Sequence, residues 1–410
     1  MSSEWRAGRL GDFIELKRGY DLPQAVRRPG VFPLVSSSGI TDSHDKAMVK
    51  GPGVVTGRYG TIGQVFYVER DFWPLNTTLY VRDFRGNDPK FISYFLRTVD
   101  FFAYADKAAV PGVNRNHLHE ASVSMPAQVT QVKIAAFLGA LDDRIALLRE
   151  TNATLEAIAQ ALFKSWFVDF DPVRARMEGR PPEGMDDATA ALFPDSFEES
   201  ELGLVVPQGW RLAPLSETFE INPTRKLKKG ELAPYLDMAS IGTQGHSVSG
   251  TVQREIGSGT KFINGDTLLA RITPCLENGK TAFVDGLPEG QTGWGSTEFV
   301  VLRPKTPLPV YHAYLLCRHT AFRDFAIQSM SGTSGRQRIQ NDVLGRYPVV
   351  VPSTDVAEVF GQIVGSIQQK IAANHAQAQT LATLRDTLLP RLISGQLRLP
   401  DAEAMVEAGV

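Results

Sequence analysis

Ile134-Ala135-Ala136-Phe137-Leu138-Gly139-Ala140-Leu141-Asp142-Asp143-Arg144-Ile145-Ala146-Leu147-Leu148-Arg149-Glu150-Thr151-Asn152 opens the stretch that decides the fold. From here Ile134, Leu138, Leu141, Ile145, Leu148, Asn152, Leu155, Ala159, Leu162 and Trp166 follow at alternating steps of four and three residues. Apolar positions in that rhythm line one face of an α-helix, and a seam sustained this long calls for a partner helix. A second seam lies 226 residues further on: Phe360, Val364, Ile367, Ile371, Asn374, Ala378, Leu381, Arg385, Leu388 and Leu392, with Arg385 interrupting the apolar run. Each helix should span roughly 40 residues, or about 60 Å. Matched seams pack most simply on each other. If the pairing is antiparallel about a pseudo-two-fold, facing residue numbers share a constant sum, and a sum of 526 brings Asn152 to Asn374. A buried Asn pair on such a seam fixes register at some expense of stability.

Working outward, the whole chain repeats. Trp5-Arg6 with Leu10 and Ile14 returns as Trp210-Arg211 with Leu215 and Phe219, an offset of 205, while Leu118 and Pro126 match Leu344 and Pro352 at 226. The second half therefore carries about 21 inserted residues. A period of this size is far above a solenoid repeat and marks a duplicated two-part module. The expected architecture is mixed α/β (α+β): two similar globular domains separated by two long antiparallel coiled-coil helices, with a pseudo-two-fold internal repeat. The divisions fall at 1–126 (first domain), 127–167 (central helix), 168–208 (central linker), 209–351 (second domain), 352–395 (second helix) and 396–410 (tail).

Within the first domain, Gly51-Pro52-Gly53, Gly57, Gly60 and Gly63 punctuate strand-like runs such as Gln64–Val68 and Thr78–Val81, and Pro89–Thr98 reads as a helix before a polar loop at Val110–Asn116. In the second, Leu268–Ile272 and Glu298–Leu302 read as strands, Val310–Phe325 as one helix and Ser331–Arg338 as a loop. The linker is rich in Pro, Gly and acidic residues, as a solvated segment would be. Yet Phe167, Phe170, Leu192, Phe193 and Phe197 are unusually apolar for one, so docking stays open.

Composition narrows the function classes. Two cysteines, Cys275 and Cys317, are too few and too isolated for a disulfide framework or a zinc site, which fits a reducing cytoplasm. No apolar run reaches the ~18 residues of a membrane helix, and residues 1–6 have no apolar signal region. The net charge of −2 decides nothing about nucleic acid, because what matters is clustering of basic residues on one face.

Catalytic motifs are missing. Asp169-Phe170-Asp171-Pro172-Val173 lacks the second proline and aromatic of an amino-methyltransferase motif, and no glycine-rich cofactor loop precedes it. Asn278-Gly279-Lys280-Thr281 has Pro274 where a phosphate loop needs glycine. His117 and His119 have no third ligand nearby. Asp195 with Glu198 and Glu199 lacks the lysine of a nuclease site and reads as a solvated acidic run. No catalytic residue and no metal ligand is expected.

Polar loops carry the remaining chemistry. The candidates for touching DNA are Ser36, Ser37, Ser38, Arg58, Tyr59, Asn76, Asn114 and Arg115 in the first domain. In the second they are Arg271, Thr273, Ser296, Thr297, Thr333, Ser334, Arg336, Gln337 and Arg338. Arg can read guanine bidentately, Asn and Gln can read adenine, and Ser or Thr can serve a base edge or a phosphate. Ordinary turn chemistry explains the same residue types. The duplication favours recognition, since two similar loop-bearing domains joined by helices suit a long, repetitive ligand.

Here a resemblance becomes specific. Asp142-Asp143-Arg144-Ile145, the run Glu150–Phe163, Lys164-Ser165-Trp166-Phe167-Val168-Asp169-Phe170-Asp171-Pro172 and the closing Leu388-Leu389-Pro390-Arg391-Leu392-Ile393-Ser394-Gly395 resemble the DNA-specificity (S) subunit of type I restriction–modification systems. So does the Trp-Arg opening of each half, and the likeness covers essentially the whole chain. It implies two target-recognition domains, each reading one half of a split, asymmetric site in double-stranded DNA. The helices would act as spacer and as docking surface for two modification (methyltransferase) subunits. Those partners would bring S-adenosylmethionine and methylate adenine, and restriction subunits would add ATP- and Mg-dependent cleavage and translocation. The chain itself would be cytoplasmic, hold no cofactor and touch no membrane. Two other readings remain: a protein-binding scaffold or regulator of a restriction complex, and a self-contained DNA methyltransferase or nuclease.

Overall fold

The computed structural model describes residues 5–105, 111–201, 203–228, 230–248, 250–333 and 335–409. They form two compact units, Met1–Ala146 with Gln379–Val410, and Leu147–Ala378. Each unit combines one globular domain with part of both long helices, Gln128–Lys164 and Thr354–Ile393.

The two domains share a strand order. In the first, a four-stranded antiparallel sheet runs Glu15–Arg18, Thr78–Asp83, Gly53–Gly57, Val65–Val68. In the second the same order is Phe219–Ile221, Phe299–Pro304, Thr267–Ala270, Thr281–Phe283. Each domain is also closed by an antiparallel pair that ties its first strand to its last. Arg6 faces Met125 in one, and Arg211 faces Val351 in the other. Those pairs reproduce the 205 and 226 offsets of the sequence. Part of the inserted residues finds room in the accompanying sheet, which among the described residues has three strands in the first domain and four in the second. β-branched and aromatic runs fill these strands because such side chains pack well on a pleated surface. Val54, Val55 and Val81 are buried in the first domain, as are Val300, Val301 and Leu302 in the second.

The seams pack as an antiparallel pair inside each unit. In Leu147–Ala378, Asn374 Nδ2 donates to Asn152 Oδ1 at 2.9 Å, and Asn152 Nδ2 donates to the Ile371 carbonyl at 3.1 Å. In the same unit Trp166 meets Phe360 with ring centroids 5.5 Å apart, again at a sum of 526. Both Asn side chains are thus bonded, which removes most of the penalty for placing amides on a dry seam. Leu141, Ile145, Leu148, Ile371, Leu381 and Leu388 are buried, while Leu155, Leu162 and Ile367 are half-buried. Arg385, the break in the second seam, has a physical reason. Its Nη1 donates to Asp142 Oδ1 at 2.5 Å, and Tyr94 donates its hydroxyl to the other oxygen at 2.6 Å. Burial opposes the charge on Asp142, but the bonds from Tyr94 and Arg385, with the charges of Arg385 and Arg97, hold its carboxyl below the usual range. The domain is thereby pinned to both helices through one carboxylate.

Several expectations need correction. Val310–Phe325 is two helices, His312–Arg318 and Thr320–Gln328, because His319 adopts an extended ψ of 135° between them. Residues 111–116 are not wholly loop. Asn114 caps the short helix Arg115–His119, its side chain accepting from the Asn116 amide at 3.0 Å. The linker docks: Phe193 packs edge-on against Trp166 at 4.9 Å, and Phe170 and Phe193 both meet Trp210. Apolar burial of those rings outweighs the solvation that their acidic neighbours would favour. Phe170, at a left-handed φ of 56°, turns the chain there. The tail also contains a helix, Leu399–Gly409, with Ala402 buried. Just before it Gly395 takes φ +75°, and a Cβ there would lie 2.7 Å from the Trp5 ring, so the opening and closing motifs meet at a position only glycine suits.

Candidate nucleic-acid interface

In the first domain the predicted loops line two adjoining clefts. One, about 450 Å³, is lined by Ser36, Ser37, Ser38 and Asn76 together with Asp21 and Arg27. The other, about 480 Å³, is lined by Arg58, Asn114 and Arg115 together with Lys17, Arg18, Tyr20 and Asp21. Asp21 belongs to both: it accepts from Arg18 Nη2 at 3.2 Å and from the Asn76 amide. Five cations (Lys17, Arg18, Arg27, Arg58, Arg115) therefore line the two clefts that share Asp21, although the chain as a whole is slightly acidic. The Arg58 guanidinium lies over the Tyr59 ring at 4.6 Å, a cation–π contact.

Backbone bonds knit the loops together. The Arg58 amide donates to the Thr77 carbonyl at 2.9 Å, and the Val113 amide donates to the Arg58 carbonyl at 3.0 Å. The second domain repeats this frame: the Arg271 amide donates to the Glu298 carbonyl at 2.9 Å, and the Ile339 amide donates to the Arg271 carbonyl at 3.0 Å. Around it lie the other candidates. The Thr273 amide donates to the Gln337 carbonyl at 3.0 Å, and Ser331 pairs with Arg338 to close the loop that holds Thr333 and Arg336. Thr297, Thr333 and Arg336 are exposed, and Ser296 is half-buried with its Oγ accepting from the Glu298 amide at 3.1 Å. Ser334 lies outside the described residues. Arg271 is partly committed, donating from Nη2 to Gln340 Oε1 at 3.2 Å.

These features (duplicated domains, paired seams and a repeated loop frame) coincide with what comparison finds. Residues 2–157 match the family model of the type I restriction modification DNA specificity domain. The chain is 24% identical over 409 residues to the type I restriction enzyme HindI specificity subunit of Haemophilus influenzae, covering 86% of this chain and 88% of that one. It is 24% identical over 370 residues to the MjaIX specificity subunit of Methanocaldococcus jannaschii, covering 86% and 79%. Over most of its length the chain is thus similar to specificity subunits of type I restriction enzymes. Its fold is similar to the crystal structure of a type I restriction-modification S subunit from M. genitalium, with a TM-score of 0.57, 18% identity and 96% of both chains covered.

His119 serves structure: its Nε2 accepts from the Leu16 amide at 2.9 Å, and burial lowers its pKa, so it stays neutral. No group of three or more potential metal ligands occurs among the described residues, and no helix among them is long and apolar enough to cross a membrane. Sequence reasoning missed Lys17, Arg18, Asp21 and Arg27 in the first domain and Glu298 in the second. The run Lys17-Arg18-Gly19-Tyr20, a basic pair leading into glycine and an aromatic, was the signal available for the first two.

Proposed function

We propose that this chain is the specificity subunit of a type I restriction–modification system and reads a bipartite, asymmetric site in double-stranded DNA, one globular domain per half-site. Its helices dock two modification subunits, and restriction subunits join in the full complex. S-adenosylmethionine, ATP and Mg belong to those partners. The single observation carrying this reading is that both domains build the same backbone-bonded loop frame and fill it with different side chains. A constant frame holds the approach to the duplex fixed, while varied side chains change which base edges are matched. Docking is supported by Leu147 and Ile158, 52% and 46% exposed, which lie three helical turns apart on a face of the first long helix away from the seam.

Methylome sequencing of a host with and without this chain should reveal one split motif that depends on it. A motif that is unchanged by its removal would reject the proposal. Binding of the assembled complex to mixed duplexes with no sequence preference would favour a protein-binding scaffold instead.

A further inference from the structure

The shared frame allows the two domains to be compared position by position. Thr77 and Glu298 both supply the carbonyl that accepts from the framing arginine amide, and Val113 and Ile339 both donate back to that arginine. The residue before each of these last two is Gly112 in one domain and Arg338 in the other, each bridged to the residue after its framing arginine. So where the first domain carries Thr77 and Gly112, the second carries Glu298 and Arg338. The exchange is not free. A Cβ on Gly112 would sit 2.1 Å from Tyr59 Cε1, so the first domain fills with an aromatic ring the space where the second places an arginine.

Arg338 is held side-on. Its Nε donates to Glu298 Oε2 at 2.9 Å and lies 3.0 Å from Oε1, and its Nη2 donates to Oε1 at 2.7 Å. Nη1 makes a longer bond, 3.4 Å, to the Arg336 carbonyl. A guanidinium has five N–H groups. Nη1 and Nη2 each keep one, and these two point forward as a parallel fork with no partner among the described residues. The side chain is 38% exposed, so the fork reaches solvent. Its bond to Arg338 holds the Glu298 carboxyl below its ordinary range, so the clamp stays ionised at neutral pH.

Two chemistries compete for an exposed arginine on such a surface. A phosphate anchor offers an unpaired charge, but the charge of Arg338 is paired with Glu298, which would itself repel a phosphate. What remains is geometry: two parallel donors spaced to meet two acceptors on one base edge. In the major groove only guanine offers that pair, O6 and N7, whereas adenine replaces one acceptor with an amino donor. We infer that Arg338 reads a guanine in the half-site of its domain through its Nη1/Nη2 fork, with Glu298 as the positioning residue that holds it. The first domain has no equivalent fork and reads this place differently. The inference rests on the DNA-reading function proposed above and adds the base.

The test uses the subunit assembled with its modification subunit, and duplexes bearing its methylated motif. Each guanine of one half-site is replaced in turn by 7-deazaguanine, which removes N7 and keeps base pairing. One replacement should weaken wild-type binding by roughly 5-fold or more, within the 5- to 150-fold range of a bidentate contact. The same replacement should leave Arg338→Ala indifferent. Arg338→Ala should accept any base pair at that position and keep every other preference, while Arg338→Lys, which keeps a donor but loses the fork, and Glu298→Gln should relax the same position partially. If no guanine responds in the wild type, or if Arg338→Ala weakens all duplexes alike and lowers the salt slope by about one unit, the assignment falls. A wild-type complex without any sequence preference would instead overturn the proposed function itself. The deazaguanine series needs no variant, so a wild type that answers to no guanine overturns the assignment even if Arg338→Ala does not assemble, and Arg338→Lys then carries the attribution.

Discussion

Phe360→Ala should destabilise the unit Leu147–Ala378 by about 3–5 kcal/mol, the range for emptying a fully buried aromatic site. Phe360 is 0% exposed and heads the seam of the second long helix. Its ring meets Phe167 at 4.6 Å and 83°, Trp166 at 5.5 Å and His312 at 6.2 Å. Three segments thus converge on one side chain: the end of the first long helix, the second long helix and the second domain. Removing it forfeits apolar burial and edge-to-face contacts, and rings fixed by their own neighbours cannot collapse into the gap. Urea unfolding followed by tryptophan fluorescence, in a chain whose five tryptophans include Trp166 and Trp210, would measure the change. A loss below about 1 kcal/mol would mean that this junction is not the packed centre described here.

The second large effect concerns acid. His312 is 1% exposed and surrounded by Phe163, Phe167, Phe219 and Phe360, with Nδ1 buried and without a partner among the described residues. Burial alone lowers its pKa from 6.5 to about 3. The unfolded chain therefore takes up a proton near pH 6.5, while the folded one resists until about pH 3. Between these values the unfolded state binds more protons, so stability falls as pH falls, by up to about 1.4 kcal/mol per pH unit from this one group. His312→Phe should flatten that slope between pH 6 and 4 relative to the wild type. Other histidines and carboxylates titrate in both proteins, so the difference isolates His312. Parallel slopes in the two proteins would show that the ring is hydrated or paired.

How much of this was written legibly in the chain depended on distance along it. The seams were readable because a heptad is a local pattern, and both the antiparallel pairing and the Asn152–Asn374 contact followed from its symmetry. The duplication was readable because Trp5 and Trp210, or Leu118 and Leu344, keep their offsets. The break at His319 was hidden, since Val310–Phe325 carries a helical composition throughout and only the local backbone decides. The linker was ambiguous because its acidic residues and its aromatic rings argue opposite ways until a docking surface exists. Arg385 looked like a flaw until Asp142 and Tyr94 were seen beside it. The interface was the least legible part. Its loops were found as residue types, but their partners lie far off in sequence: Asp21 is 55 residues from Asn76, and Glu298 is 40 from Arg338. No periodicity records such pairings, because sheets bring them together through non-local contacts. Hence Asp21, with Arg18 and Arg27 near it, went unnoticed, and Glu298 was read as the start of a strand rather than as the partner of Arg338.

The central claim is that each domain reads its own half-site, and exchanging one domain tests it most directly. Residues 5–126 would be replaced by the corresponding domain of a specificity subunit with a different motif, and the host methylome sequenced. The account predicts a hybrid motif: one half becomes that of the donor, and the other half stays as it was. A motif in which both halves change together, or in which neither changes while methylation persists, would contradict it.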